Sequence, residues 1–467
     1  MAQDKKAANI QLLETDSVTY QNPSNIRHIG DPFYLREGDM YYCYATSAPD
    51  GFKVWQSPDM INWEEVGYAY RKEPDSWAVS EFWAPEVWKH DGLFYMFYTG
   101  RWRDNMSLRT GLAVSGDPTG PFRDVKNAPF FDPGYATIDA TVFFDDNGRN
   151  YMYYVIDVAD NIINGSPQSH VAVVELSEDL SNVISEPKTV LIADQDWEFN
   201  AGLDQTWNEG PVMLKHDGRY YLFYSANMFS DPAYCVGYAV SNDPMGEFCK
   251  HEVPVLWHTE PAGEKNIPLV SGPGHNSFVL SPDGSELFIV YHTHMHPESP
   301  SGERQACMDR LGFRDDGSVF CNGPTVAKTP VPSGAKGMKR IDRSMIKSIT
   351  PGFEVLVDGD TGDMWDSESC VELTTGLSVA IDLTENLPLS LIAVYPYRRE
   401  YTGSATLEVS FNNGTAVTKI ETKKPGIVPG YCEIIHFEPV NTNTIMMRLS
   451  DNSDSIVLSE VMLMCKE

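Results

Sequence analysis

The stretch Asn208-Glu209-Gly210-Pro211-Val212-Met213-Leu214-Lys215-His216-Asp217-Gly218-Arg219-Tyr220-Tyr221-Leu222-Phe223-Tyr224 decides the fold. A short apolar run, a His-Asp-Gly turn and an aromatic run without helical spacing read as strand, tight turn and second strand. The same unit occurs at four other places. Gly30-Asp31-Pro32 leads into Phe33-Tyr34-Leu35, a turn at Glu37-Gly38-Asp39, and Met40 to Thr46. Trp83-Ala84-Pro85-Glu86 leads through Val87-Trp88-Lys89 and His90-Asp91-Gly92 to Phe94–Tyr98. Ile138-Asp139-Ala140 leads through Val142-Phe143-Phe144 to Tyr151–Ile156, and Gly274-His275-Asn276 through Phe278-Val279-Leu280 to Leu287–His292. Starts lie roughly 54 to 70 residues apart, a spacing that marks solenoids or propellers. Most copies add a third apolar strand and a more polar fourth, as at Gly111–Ser115, Val236–Ser241 and Met308–Phe313. Four strands in each of five units predict an all-β fold, a five-bladed β-propeller with each first strand starting at the channel. A large β-sandwich is the alternative.

Three copies carry an acid at the start of the first strand: Asp31, Asp139 and Glu209. Read as one repeat position, they are expected to converge at the channel mouth. Converging carboxylates can supply the acid and base of glycoside hydrolysis. An isolated Asp in such a place reads as a turn residue satisfying backbone amides, but a repeated one does not.

Composition narrows the partners. The chain has 467 residues, 42% of them hydrophobic and 12% aromatic, and a formal charge of −31 from 35 basic and 66 acidic side chains. Clustered Lys and Arg are what nucleic acid and anionic lipid demand, so both are excluded as partners, and a neutral glycan fits better than a polyanionic one. No apolar run is long enough to span a bilayer. The opening Met1-Ala2-Gln3-Asp4-Lys5-Lys6 has no hydrophobic core segment. Ala2-Gln3 resembles the residues around a cleaved export signal, and a secreted or periplasmic location is expected. Eight cysteines stand singly without a CxxC pair and do not fix the compartment.

A boundary is expected near 340, after the Pro-, Gly-, Lys- and Ser-rich stretch Thr329–Lys339. It divides a propeller at 1–340 from a smaller β-sandwich domain at 341–467. Strand-like segments at Leu377–Leu383, Leu391–Tyr397, Ala405–Phe411 and Ile445–Leu449 alternate there with polar turns. Val357-Asp358-Gly359-Asp360-Thr361 with Trp365-Asp366, and Leu407–Phe411 with Asn412-Asn413-Gly414, resemble a discoidin-type, galactose-binding-like domain. That resemblance implies sugar binding, for which Tyr395, Tyr397, Arg398, Arg399 and Tyr401 offer an edge. A structural sandwich is the alternative.

Asn22 to Thr325 resembles the family 43 glycoside hydrolases on six motifs in order: Gly30-Asp31-Pro32, Trp83-Ala84-Pro85-Glu86, Ile138-Asp139-Ala140, Glu209-Gly210-Pro211, Gly272-Pro273-Gly274-His275-Asn276, and Arg304 running to Asp316-Gly317. The related fructan-cleaving propellers carry Trp-Met-Asn-Asp-Pro-Asn-Gly, Arg-Asp-Pro and Glu-Cys motifs, which this chain lacks. The resemblance implies Asp31 as general base, Glu209 as general acid and Asp139 as a third carboxylate that raises and orients the acid. It also implies inversion, with about 6.5–9.5 Å between the carboxyls of base and acid.

The same resemblance implies substrate contacts from Trp83, Phe33, His275 and Arg304, with Arg310 the competitor for the arginine role. His275 stands where relatives place a histidine near a calcium ion held mostly through water. Calcium prefers oxygen ligands, and a hydrogen bond from His275 to Asp31 or Glu209 is the alternative. The run His292-Thr293-His294-Met295-His296 carries zinc-capable residues, but it ends a second strand. His90 and His216 are expected to face solvent. The expected activity is release of terminal α-L-arabinofuranosyl or β-D-xylosyl groups from plant polysaccharides or oligosaccharides. The alternatives are an endo-arabinanase, a galactan-directed hydrolase or a non-catalytic sugar-binding propeller. The long inserts Asp194–Thr206 and Thr259–Val270 favour a walled pocket and exo action.

Overall fold

A computed structural model describes residues 8–199, 204–261, 267–362, 369–397, 404–414, 416–422, 428–450 and 455–467. Five four-stranded antiparallel sheets follow one another, each with its strands in chain order. Blade 1 comprises Gly30–Glu37, Met40–Thr46, Gly51–Ser57 and Glu64–Arg71. Blade 2 comprises Ala78–His90, Leu93–Trp102, Leu108–Ser115 and Arg123–Asp124; blade 3, Thr137–Phe144, Asn150–Ile156, His170–Leu176 and Lys188–Leu191. Blade 4 comprises Asn208–His216, Arg219–Ala226, Cys235–Ser241 and Cys249–Lys250; blade 5, Gly274–Leu280, Leu287–His294, Arg304–Phe313 and Val319–Cys321. The fold is the five-bladed propeller that the repeat predicts.

The second strands explain why the repeat reads so clearly. In Arg219–Ala226 every residue after Arg219 is buried, because a blade is covered on both faces by its neighbours. Apolar runs therefore replace the alternation of a one-faced sheet. Buried tyrosines in these strands bring hydroxyls that need acceptors: Tyr153 donates to the Pro244 carbonyl at 2.6 Å and Tyr98 to Asp124 at 2.5 Å. Asp91-Gly92 and Asp217-Gly218 have positive φ at both positions, the two-residue turn whose twist matches a hairpin. His90, expected in solvent, is half-buried and stacks on Phe144 with centroids 5.4 Å apart.

The chain divides into two compact units. One holds Pro23–Val279 and Ile289–Met308; the other holds Met1–Asn22, Leu280–Phe288 and Asp309–Glu467. The second unit therefore takes more than the residues after 340. Ala8–Asn9 pairs with Ala416–Thr422, and Leu12–Leu13 with Glu433–Leu449. These strands join a ten-stranded, sandwich-like sheet built on Ser378–Pro396, Glu433–Leu449 and Ser455–Lys466. Its core includes Leu356, Val379, Ile381, Leu407, Phe411 and Ile445, all fully buried. Tyr395 and Tyr397 are only 4% and 5% exposed, so they pack inward and do not form a binding edge. Trp365, Asp366, Arg398, Arg399 and Tyr401 lie outside the described residues. No helix among the described residues is long and apolar enough to cross a membrane.

Candidate active site

Each first strand holds a left-handed residue at a matching position: Asp31 (φ 56°), Ala84 (44°), Asp139 (54°), Gly210 (53°) and His275 (49°); the first strand of blade 2 has another at Glu81 (55°). A register break accompanies it in the first four blades, between Gly30 and Phe33, Trp83 and Glu86, Ile138 and Thr141, and Glu209 and Val212. Left-handed backbone costs a non-glycine residue roughly 1–2 kcal/mol, and bulges re-aim side chains next to functional sites. This position corrects the expected alignment. Asp31 and Asp139 are equivalent, but Glu209 stands one residue earlier, level with Gly30, Trp83, Ile138 and Gly274.

The offset still brings the acids together. The Gly210 amide donates to Asp139 Oδ2 at 3.2 Å, and Glu209 Oε1 accepts from the Ser169 hydroxyl at 3.1 Å. Two glycines at the Glu209 level admit neighbours. A Cβ on Gly30 would lie 2.1 Å from the Arg304 guanidinium, and one on Gly274 would lie 2.2 Å from the Tyr234 ring.

Asp31 is held as an anion. Its Oδ1 meets Arg304 Nη1 at 2.9 Å and lies 3.3 Å from His275 Nδ1; its Oδ2 accepts from Thr46 Oγ1 at 2.5 Å. Burial acts to raise its pKa, but Arg304, His275 and the Thr46 hydrogen bond outweigh it and hold the carboxyl well below the usual range. His292 adds no charge. Its Nδ1 accepts the Asp31 amide at 3.2 Å, and burial with nearby Arg304 keeps the ring neutral.

Glu209 goes the other way. Burial first, then the neighbouring Asp139 and Asp157 carboxyls, push it far above the usual carboxylate range, against the Ser169 hydrogen bond. Asp139 is also raised, by burial and by Asp31, with His275 and the Gly210 amide opposing. A low and a high carboxyl in one buried cluster is the arrangement that divides base from acid.

Beside this cluster opens a cavity of about 440 Å³, whose lining includes Gly30, Thr46, Phe82, Trp83 and Arg304. Trp83 is partly exposed there and backs onto Leu108, Ala136, Ile138 and Val155. Arg304 lies over the Phe229 ring, its Cζ 4.9 Å from the centroid. Arg310 is buried in the other unit, paired with Glu286 at 2.7 Å and with the Pro330 and Val331 carbonyls, so the structure separates the two candidate arginines. Phe33 corrects a second expectation. It is 5% exposed and packs edge-on to Trp88 in the blade core, away from the cavity. A smaller cavity of about 190 Å³ is walled by Glu286, Arg310, Arg340 and Glu460, charges that pair with one another.

Calcium takes six to eight oxygens, and no group of three His, Cys, Asp or Glu side chains gathers among the described residues. His275 offers a nitrogen that already faces Asp31, so the residues do not fit a directly held ion. The three strand-end histidines have separate partners: His292 takes the Asp31 amide, His294 engages Ser271 Oγ and the Phe229 carbonyl at 2.9 Å each, and His296 lies near Glu298 and Glu303.

Sequence reasoning missed Thr46, Ser169, Asp157 and Tyr234. Thr46 was legible in principle: Thr46, Thr99, Ser225 and His292 are polar residues at or near the end of apolar second strands.

Residues 20–319, more than half of the chain, match the family model for glycosyl hydrolases family 43. A crystal structure of a thermostable family-43 glycoside hydrolase is 45% identical, with a TM-score of 0.63, covering 68% of this chain and 100% of its own. A β-D-galactofuranosidase of Aspergillus niger is 27% identical over 67% of this chain and 87% of the relative. α-L-Arabinofuranosidase 43 of Humicola insolens is 23% identical over 95% of this chain and 92% of its own. With its five blades and its clustered acids, the chain belongs to family 43 of the glycoside hydrolases.

Proposed function

We propose that this enzyme releases terminal pentose residues, α-L-arabinofuranosyl or β-D-xylosyl, from plant-derived oligosaccharides or polysaccharides, with inversion. The observation that carries the reading is the opposed protonation of two carboxyls in one cluster, the ionised one bonded to Thr46 and Arg304 of the cavity wall. Asp31, paired with Arg304, stays ionised and takes the proton from the attacking water. Glu209, burdened by burial and Asp139, keeps its proton and delivers it to the leaving oxygen. Asp139 holds the Gly210 amide and so orients the strand segment that carries the acid. Trp83 offers a ring face for the sugar, and Arg304 a donor fork for its hydroxyls.

Relatives support the sugar class. Alongside the arabinofuranosidase of Humicola insolens stands a xylosidase/arabinosidase of Bacteroides ovatus, 28% identical over 58% of this chain. An extracellular exo-α-(1→5)-L-arabinofuranosidase of Streptomyces avermitilis supports export of this enzyme as well. The test is nitrophenol release from aryl α-L-arabinofuranoside, β-D-xyloside and β-D-galactofuranoside, with Asp31→Asn as control. Turnover of either pentoside by the parent, lost by roughly 10²-fold or more in the variant, supports the reading. Turnover of the galactofuranoside alone would replace the sugar class, and activity retained by Asp31→Asn would remove Asp31 from the mechanism.

A further inference from the structure

The left-handed residues form a ring of backbone amides, and four of the five donate to a side chain on the second strand of the preceding blade. Asp31 donates to His292 Nδ1 at 3.2 Å, Ala84 to Thr46 Oγ1 at 2.8 Å, Asp139 to Thr99 Oγ1 at 3.1 Å and His275 to Ser225 Oγ at 2.7 Å. Strand register locates the acceptor position. Thr46 is opposite Gly30, Thr99 opposite Trp83 and Ser225 opposite Glu209. In blade 3 the residue at that position, opposite Ile138, is Val155.

Val155 is fully buried, and its side chain has no atom that can accept a hydrogen bond. A buried amide must find a partner elsewhere. The amide due to use this position is that of Gly210, and it turns to Asp139 Oδ2 at 3.2 Å. Gly210 directly follows Glu209, so the bond ties the third carboxylate to the backbone of the acid. Two further contacts restrict it. The amide of Asp139 is itself fixed by Thr99, and the His275 ring lies 3.2 Å from where a Gly210 Cβ would stand.

We propose that Val155 is a positioning residue, which by denying the ring its fifth side-chain acceptor commits the Gly210 amide to Asp139 and so couples Asp139 to Glu209. The inference rests on the reading of Glu209 as the acid. An N–H donor favours the charged form of Asp139, and a charged Asp139 keeps the proton on Glu209. A hydroxyl at position 155 would take the amide as Thr46 and Thr99 do. Asp139 would then bind its own proton more readily, and the like charge that keeps the proton on Glu209 would form only at higher pH.

The decisive variant is Val155→Thr, which changes one methyl to a hydroxyl; Val155→Ser places the same acceptor if the threonine variant does not fold. The titration of Asp139, read by carboxyl ¹³C shifts of aspartate-labelled protein with Asp139→Asn identifying the resonance, is expected to move to higher pH by roughly half a unit or more. Val155→Ala adds no acceptor and is expected to lose thermal stability while keeping the parent's Asp139 midpoint. A V155T midpoint that coincides with the parent's, or an equal shift in V155A, overturns the proposal. A parent that cleaves no glycoside would overturn the reading of Glu209 as the acid, while this titration still decides the role of Val155.

Discussion

Asp31, buried, and Glu209, partly buried, are divided by their neighbours: a guanidinium at 2.9 Å for one, carboxyls and a hydroxyl for the other. The division makes leaving-group chemistry diagnostic. Glu209→Gln should slow cleavage of substrates with poor leaving groups by about 10²–10⁴-fold, and activated aryl glycosides far less, because these need little protonation. Equal losses on both, in steady-state kinetics, would count against Glu209 as the acid. Glu86 adds a third kind of acid, one whose charge has no use in the mechanism. It is buried, accepts from Trp88 Nε1 at 3.2 Å, and is pushed up to about 8, first by burial and then by Asp139. An unfolded Glu releases its proton near 4.3, so between that value and about 8 the folded state holds the extra proton. Stability from this group is therefore full below about pH 4.3 and is lost as pH rises through 8. Glu86→Gln should flatten the fall in Tm between pH 5 and 9 by roughly 2–4 °C or more. Calorimetry across that range decides it, and parallel curves for parent and variant would show that Glu86 is ionised in the fold.

The first strand of each blade spends backbone strain to aim its inner end, and this can be measured where no chemistry intervenes. Ala84 is left-handed at φ 44° with no reacting group. Ala84→Gly should leave stability unchanged or raise it by up to about 1 kcal/mol. Ala113, buried in the middle of a regular strand, should lose roughly 0.5–1 kcal/mol or more by the same change. Urea midpoints for the two variants test this, and matching losses would mean that the strain at Ala84 is relieved elsewhere. This position also explains what could and could not be read from sequence. The blade count was legible because burial on both faces writes each second strand as an unbroken apolar run. Asp31, Asp139 and Arg304 were legible as members of ordered motifs. The offset of Glu209 was not, because a bulge inserts its extra residue without changing composition, and only the positive φ at Gly210 shows where the register lies. Phe33 misled for a related reason: two residues past the bulge, a strand side chain already belongs to the core. Thr46, Thr99, Ser225 and His292 show a pattern only once the amides they receive are known.

At the scale of the whole molecule, the boundary expected at residue 340 would cut through one compact unit. That unit includes Leu280–Phe288 and Asp309–Glu467 together, and its ties cross the proposed cut. Arg314 Nη2 meets Asp360 at 2.8 Å, Asn322 Nδ2 donates to the Gly359 carbonyl at 2.8 Å, and the Val326 amide donates to the Pro429 carbonyl at 3.1 Å. Arg340 bridges Glu286 at 3.1 Å and Glu460 at 3.7 Å, and both acids are buried. Leucines, valines and isoleucines of the C-terminal sheet supply most of this unit's apolar core. Removing 341–467 would strip Arg314, Asn322, Val326 and Arg340 of these contacts and leave Leu12–Leu13 without the strand it pairs with. Breaking one side of a buried ion pair costs about 3–5 kcal/mol, and in a chain of this size each kcal/mol is worth roughly 2–4 °C. The truncated chain should therefore be insoluble or melt roughly 10 °C or more below the parent. Expression of residues 8–340, followed by a thermal melt and an aryl-pentoside assay, measures this. A soluble fragment with the parent's Tm and turnover would establish the C-terminal sheet as a detachable module.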